Sequence, residues 1–264
     1  MKTVEVNLFG RVVEPENFNE LIEIITYKLK LSSINVKLWR GQGDISWPIH
    51  SGAYRRIFNE NLDSVKEEDI MVYEKRLIDQ ARHKSFEYQD GRMLTDIEIL
   101  AKLQHHGAAT RLVDFSKNAL IALWFCSNSC PSKTGLLLGV HSSCVVGFES
   151  TTHASKSDYN SFADELSSKE YPMLLDPPIV SPRISAQHGL FLYSKVSDSP
   201  MGSLKLPNNE NGRIFIAIKP QLKESIKTIL MHSFNIRDET IFPDFDGFAA
   251  ANSTQKSIGD MYRW

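Results

Sequence analysis

Polar and charged side chains that could bind a ligand are concentrated in three short stretches of the chain. The longest run places an amide, two imidazoles, a hydroxyl, a guanidinium and a carboxylate within a dozen residues: Gln104-His105-His106-Gly107-Ala108-Ala109-Thr110-Arg111-Leu112-Val113-Asp114-Phe115. A connection that only turned the chain would not need so many hydrogen-bonding groups. The run is therefore predicted to be a ligand cradle or, alternatively, a buried polar corner that satisfies helix ends.

The other two stretches lie beside predicted strands. Arg40 ends one strand and precedes Gly41. A guanidinium presents a rigid fork to phosphate or carboxylate, and glycine lets a ligand approach the backbone. Just before a later predicted strand, Arg183 could bind a charged group of a ligand, and Gln187 could hydrogen-bond a ribose or an amide. One shared pocket, rather than separate polar corners, is predicted for the residues at these element edges: Arg40, Gln104, His105, Thr110, Arg111 and Gln187.

Several kinds of site are excluded by spacing. His105 and His106 are neighbours and diverge by about 100° in a helix, so no metal site is predicted. The chain has no GxSxG nucleophile motif, and Gly41-Gln42-Gly43 lacks the third glycine of a dinucleotide fingerprint. Within the run 104–115, Asp114 is interpreted either as a helix cap or as a group that orients Arg111.

Composition limits the class of protein. The chain has 264 residues, a length that fits one large domain or two small ones. Apolar residues make up 42% of it, which is enough to form a substantial core. A formal charge of −2 gives no general attraction to nucleic acid or to an anionic membrane. Three cysteines without a CxxC pair are expected to be reduced thiols. With no signal-like segment or membrane-length apolar stretch, the prediction is a soluble cytoplasmic protein that has no membrane partner.

Helical patterns dominate the first half of the chain and strand patterns the second, which favours an α+β fold over a doubly wound sheet. Strands are predicted at Thr3–Asn7, Val36–Arg40, Gly135–His141, Cys144–Phe148, Leu190–Tyr193 and Arg213–Lys219. Helices are predicted after Pro15, over Val65–Lys84, from Thr95-Asp96 to Gln104, over Asn118–Ser127 and after Pro220. The Asn118–Ser127 helix is apolar on nearly every side and is expected at the centre of the domain. Residues 150–182 are predicted to be a long loop with one short helix, Ser161–Leu166, serving as a mobile excursion or a lid.

Read in order, these motifs resemble the FRG domain family. The matching strings run from about Trp39 to Gly247, within residues 36–250, and Trp39 stands where the family name has phenylalanine. They are Leu38-Trp39-Arg40-Gly41-Gln42, the run 104–115, Gln187-His188-Gly189-Leu190-Phe191 and Ile241-Phe242-Pro243-Asp244-Phe245-Asp246-Gly247. One domain spanning residues 1–264 is therefore expected.

The resemblance implies an ADP-ribosyltransferase-like fold, in which a split, mainly antiparallel sheet flanked by helices clamps NAD as the substrate. It places Arg40 at the end of the first strand of that fold. Thr110-Arg111 would bind the nicotinamide half of NAD. Gln187, just before a predicted strand, stands where the fold has its catalytic glutamate. The residues expected to bind NAD are Arg40, Gly41, Gln104, His105, Thr110, Arg111 and Arg183.

Because this position lacks a glutamate, the resemblance does not identify the catalytic residue. A neutral amide supplies no negative charge to stabilise the cation that develops in the reaction. The candidates are Gln187 itself and two acids near a predicted strand, Glu239 and Asp244. Under the alternative, these acids pair with Arg111 or Arg183 and only brace the cleft.

What the resemblance implies for function is an NAD-dependent ADP-ribosyltransferase acting as a bacterial toxin or defence effector on a nucleic acid or a protein. Such a toxin would be neutralised by an antitoxin or immunity partner. The alternative is a non-catalytic nucleotide-binding or interaction module on the same fold.

Overall fold

A computed structural model describes residues 2–30, 37–61, 64–89, 91–147, 158–176, 182–208 and 212–254. The strands are β1 Thr3–Val6, β2 Gly10–Val13, β3 Lys37–Gln42, β4 Tyr88–Gln89, β5 Arg92–Met93, β6 Val113–Ser116, β7 Gly135–His141, β8 Met173–Leu175, β9 Gly189–Tyr193 and β10 Arg213–Ile218. The helices are α1 Phe18–Lys30, α2 Gly52–Asn61, α3 Glu67–His83, α4 Asp96–His105, α5 Ala119–Asn128, α6 Tyr159–Ser167, α7 Pro182–Ala186, α8 Pro220–Phe234, α9 Asp238–Ile241 and α10 Phe245–Ala251.

Eight of the strands form one sheet in the order β1-β2-β10-β7-β3-β6-β9-β8, while β4 and β5 form a separate hairpin. Neighbours in the large sheet are antiparallel except β10 and β2, which are parallel. The predicted α+β class, with a mainly antiparallel sheet flanked by helices, is confirmed. Helices α1, α5 and α8 share a core with β3, β7 and β10, whereas α3, α4 and α6 pack with β8 and β9.

Helix α5 is buried against β3, as its all-round apolar sequence predicts. Asn118 caps the helix by accepting a hydrogen bond from the Leu120 N–H, and Leu123 and Cys126 are fully buried. The approach to β3 is closest at Gly41, where an added Cβ would lie 1.8 Å from the Ala122 carbonyl oxygen. The absence of a Cβ at Gly41 therefore allows α5 to pack closely against the sheet, independently of any role of Gly41 in ligand binding.

Replacing Gly41 with alanine is expected to lower the free energy of unfolding by about 1–3 kcal/mol or more, because the clash is with backbone and cannot be relieved by a rotamer change. Denaturant unfolding followed by circular dichroism measures this. Gly189→Ala is the matched control, since an added Cβ there meets nothing closer than 3.5 Å. Equal stabilities of the two variants would contradict the packing role.

Three sequence predictions about elements are wrong. The strand predicted from Cys144 is not formed: Ser142–Cys144 is a 3₁₀ turn, and Val146 makes only an isolated bridge to Met173; Phe148 lies outside the described residues. In the predicted loop 150–182, the short helix expected at Ser161–Leu166 is confirmed as part of α6, but the described part is not a surface excursion, because one face of α6 and the strand β8 are buried. The residues before Phe242 form the short helix α9 instead of a strand.

Candidate ligand-binding cavity

The sheet opens between β3 and β6. These antiparallel strands pair only at Trp39 and Ser116, although β3 pairs with β7 over six residues and β6 pairs with β9 over four. Beyond that single pair, the Arg40 end of β3 and the Asp114 end of β6 diverge. A cavity of about 350 Å³ lies in the gap.

The lining of this cavity is mixed. Its polar residues are Arg40, Gln104, His105, Asp114, Ser116, Arg183 and Gln187. Its aromatic residues are Trp39, Phe115, Phe125, Phe191 and Phe242. The structure therefore brings together the three polar stretches that the sequence analysis singled out, although they are up to 147 positions apart, from residue 40 to residue 187.

Arg40 is a partly buried cation with unused donors. One terminal nitrogen donates a hydrogen bond to the Asp114 backbone oxygen at 2.8 Å, while its buried Nε has no partner among the described residues. Burial lowers the pKa of Arg40, and the neighbouring Asp114 carboxylate opposes that change. Because a guanidinium stays protonated through such shifts, this wall of the cavity is suited to an anion.

Asp114 is held by a chain of hydrogen bonds that begins in the protein interior. The buried Thr110 hydroxyl donates to the Gln104 side-chain oxygen at 2.8 Å, and the Gln104 amide donates to the Asp114 carboxylate at 3.0 Å. Thr110 itself is anchored by the Leu112 N–H at 3.1 Å. The cavity thus contains an oriented carboxylate whose other acceptor positions remain available.

The two roles considered for Asp114 in the sequence analysis are wrong. Asn118 caps α5, and Arg111 lies elsewhere. The signal that was missed is the alternation in β6: Val113 and Phe115 are buried, so the intervening Asp114 side chain is directed to the other side of the strand.

The opposite wall is built by α7 and the segment around α9. Arg183 forms an ion pair with Asp244 at 2.7 Å, and its guanidinium carbon lies 5.0 Å from the centre of the Phe242 ring. The Gln187 amide donates to the Ile241 backbone oxygen at 3.2 Å, and the Ser116 hydroxyl donates to the Gln187 backbone oxygen. These contacts attach the wall to β6 and fix Gln187 at the edge of the cavity.

Asp244 braces this wall and is not a free carboxylate. The same carboxylate oxygen that pairs with Arg183 accepts a hydrogen bond from the Gly247 N–H, so Asp244 is also the N-cap of α10. The hydrogen bond from Arg183 is the main cause that holds the pKa of Asp244 below its usual range. Glu239 lies in α9 beside Arg237 at 3.4 Å and does not line the cavity.

The Asp244→Asn variant is expected to be less stable at pH 7 by about 1–2 kcal/mol, because asparagine still caps α10 but loses the ion pair with Arg183. A carboxyl whose pKa is lowered by folding stabilises the protein above its unfolded pKa, near 3.9, and loses that contribution as the pH falls through the folded pKa. The difference between the free energies of unfolding of Asp244→Asn and wild type should therefore become smaller below about pH 4.

Denaturant unfolding of wild type and Asp244→Asn at several pH values measures this contribution. The exposed neighbour Asp246 provides the control variant Asp246→Asn, whose stability should follow wild type throughout. A stability difference for Asp244→Asn that is unchanged at acid pH would show that the ion pair is not its source.

His105 lines the cavity, and its surroundings lower the pKa of its ring. Burial is the main cause that lowers its pKa, and the nearby Arg183 charge lowers it further. Its ring meets that of His106 edge-on at 5.0 Å between centres. Among the described residues, no cluster of three His, Cys, Asp or Glu side chains could hold a metal ion.

The expectation that Arg111 reaches the cavity is wrong. Its side chain is 3% exposed and is surrounded by acceptors: Glu74 at 2.5 Å, Glu67 at 2.7 Å and the Tyr159 hydroxyl at 2.7 Å. The network joins α3 to α6 and to the segment before β6. Thr110 likewise lies behind the cavity wall, where it supports Gln104.

Comparison with protein families gives one match. Residues 35–134 match the model of the FRG domain. This part of the chain is similar to the FRG domain family. The matched range begins just before β3 and ends after α5, so it includes Arg40, Gln104, His105 and Asp114.

The remaining cavity wall lies outside the matched FRG range. Arg183, Gln187 and Phe242 come from later elements, and β7 to β10 complete the sheet on both sides of the FRG strands β3 and β6. No curated protein and no solved structure matches the chain. No helix in the described part of the chain is long and apolar enough to cross a membrane.

Proposed function

We propose that this FRG-domain protein is an NAD-dependent ADP-ribosyltransferase-like enzyme whose reaction takes place in the cavity between β3 and β6. The main support for the proposal is that a cation with unused hydrogen-bond donors and an oriented carboxylate line the same cavity. Arg40 supplies the first and Asp114 the second. Aromatic side chains form much of the remaining lining.

The dimensions suit part of a dinucleotide. Ligand cavities commonly measure about 300–1,000 Å³, so 350 Å³ is near the lower end of that range. In this proposal the nicotinamide half of NAD enters the cavity and the pyrophosphate passes Arg40. Phe125 and Phe242 offer apolar contacts to the nicotinamide ring, and Gln187 is placed to hydrogen-bond its ribose or amide.

In the proposed reaction, Asp114 supplies the charge that Gln187 cannot. As the bond between the ribose C1′ and nicotinamide breaks, its electron pair leaves with nicotinamide and positive charge develops on the ribose. The Asp114 carboxylate stabilises that charge, and the acceptor nucleophile then bonds to C1′ and releases its proton. A toxin or defence role acting on a nucleic acid or protein, controlled by an antitoxin or immunity partner, belongs to the same proposal.

A second candidate is a non-catalytic nucleotide-binding module. It is favoured by the fact that the Gln187 amide is engaged in bracing the wall through the Ile241 backbone oxygen. In this case Arg40 would still hold a phosphate, but Asp114 would contribute only a hydrogen bond to a hydroxyl of the nucleotide.

Release of nicotinamide from labelled NAD in the presence of cell extract separates the two candidates. The enzyme should release nicotinamide, and Arg40→Ala should remove most of that activity because the pyrophosphate loses its cation. Arg76→Ala, an exposed arginine of α3, is the matched control and should keep it. Saturable NAD binding without release would favour the module, and the absence of both would overturn the proposal.

A further inference from the structure

A row of aromatic rings follows one side of α2. Tyr54 and Phe58 are four residues apart in α2, so their side chains lie above one another on the helix surface, and His50 lies two residues before the helix begins. The His50 and Tyr54 rings are 4.2 Å apart and 13° from parallel, and the Tyr54 and Phe58 rings are 6.2 Å apart and 12° from parallel. Phe58, at the outer end, is 48% exposed, and we call these three residues the aromatic row.

Positive charge accompanies the aromatic row. Arg55 is exposed and forms no ion pair with a carboxylate of the described residues, whereas its neighbour Arg56 is paired with Glu60 at 3.7 Å. His50 adds a ring but no charge: its Nδ1 accepts a hydrogen bond from the Ser203 N–H, and burial together with Arg55 lowers its pKa to about 4. Among the residues that the structure describes, Arg55 is thus an exposed cation of this surface without a carboxylate partner.

Helix α2 is attached to the segment behind the cavity wall. The Ala53 N–H of α2 donates to the Thr110 backbone oxygen at 2.9 Å, and Thr110 in turn bonds to Gln104 in the cavity wall. The charge of Arg55 also lowers the pKa of Arg40, which places the two guanidinium groups within electrostatic reach of each other. A ligand lying along α2 could therefore extend to the cavity mouth.

We infer that the aromatic row and Arg55 form a binding surface for single-stranded nucleic acid. Bases stack on aromatic faces without regard to sequence, and an arginine beside them pairs with the phosphates. A protein partner is less favoured by this surface, because the aliphatic side chains of α2, Ala53 and Ile57, pack inward, as does part of Tyr54, and leave Arg55 and Phe58 exposed. The further statement that this strand is the ADP-ribose acceptor rests on the proposed function; the binding itself does not.

Fluorescence anisotropy with labelled single-stranded oligonucleotides, one DNA and one RNA of equal length, tests the inference over a range of salt concentrations. Phe58→Ala should weaken binding by about 5- to 150-fold, the usual effect of removing one stacking ring, with the salt dependence unchanged. Arg55→Ala should lower the slope of log affinity against log salt concentration by about 0.7, the value for one phosphate contact on a single strand. Phe248→Ala, an exposed phenylalanine of α10, is the matched control and should bind as wild type does.

The absence of saturable oligonucleotide binding at low salt would overturn the inference. So would binding that Phe58→Ala leaves unchanged, or equal affinity for a duplex, whose bases are not free to stack. Titration of the same samples with NAD keeps the two proposals apart. NAD binding without oligonucleotide binding defeats only this inference, whereas Phe58-dependent oligonucleotide binding without NAD binding defeats only the proposed enzyme.

Discussion

Replacing Arg111 with methionine is expected to lower the free energy of unfolding by about 3–5 kcal/mol. The guanidinium is buried between Glu67, Glu74 and the Tyr159 hydroxyl, and the two carboxylates are themselves buried. Methionine fills part of the space but leaves those carboxylates without their cation. Loss of a single partner from such a network costs far more than the net contribution of the intact ion pair.

Chemical denaturation of Arg111→Met and of the exposed control Arg56→Met measures this difference. The control should stay within about 0.5 kcal/mol of wild type, because its ion pair with Glu60 is exposed to solvent. Adding Glu74→Gln to Arg111→Met should recover part of the loss, since one uncompensated charge is removed. Similar stabilities of Arg111→Met and Arg56→Met would show that the network does not support the fold.

The Asp114→Asn variant is expected to lose about 10²–10³-fold in the rate of nicotinamide release, the usual effect of removing one preorganised electrostatic group. Asparagine can still accept the hydrogen bond from Gln104, so the position and shape of the side chain are kept while its charge is removed. NAD affinity and the melting temperature should therefore change little. The effect should appear in kcat and not in binding.

Glu239→Gln and Asp244→Asn are the matched controls, because the same charge is removed from carboxylates outside the cavity lining. Both should retain release activity, and Asp244→Asn should show only its cost in stability. An active Asp114→Asn together with an inactive Glu239→Gln would move the catalytic role to α9 and contradict this assignment.

Local patterns were enough to predict the elements whose environment is set by their own sequence. The all-round apolar run of α5 could only be buried. The predicted end of β3 at Arg40 is wrong, because the strand continues through Gly41 to Gln42 and stays paired with β7. The convergence of Arg40, Gln104 and Gln187 followed from their places at element edges.

Arg111 and Asp114 were interpreted wrongly because their partners are distant in sequence. Glu67 and Glu74 of α3 are acidic, yet they continue the buried stripe of Ile70, Ile78 and Ala81. Two glutamates on the apolar stripe of a helix are a signal for a buried cation elsewhere in the chain, and Arg111 is that cation. The position of Asp114 in the cavity could not be predicted from the sequence, because it depends on where β3 and β6 separate in the tertiary structure.

Equilibrium binding of NAD, measured by calorimetry on wild type and Arg40→Ala, tests most directly whether the cavity between β3 and β6 is a nucleotide site. One saturable site is expected for wild type. Removal of a cation that contacts phosphate should weaken NAD binding at least about tenfold in Arg40→Ala, given about 1.5–3 kcal/mol for a charged hydrogen bond. Arg76→Ala should bind as wild type does. No saturable binding at millimolar NAD, or equal affinity in a folded Arg40→Ala protein, would contradict the account.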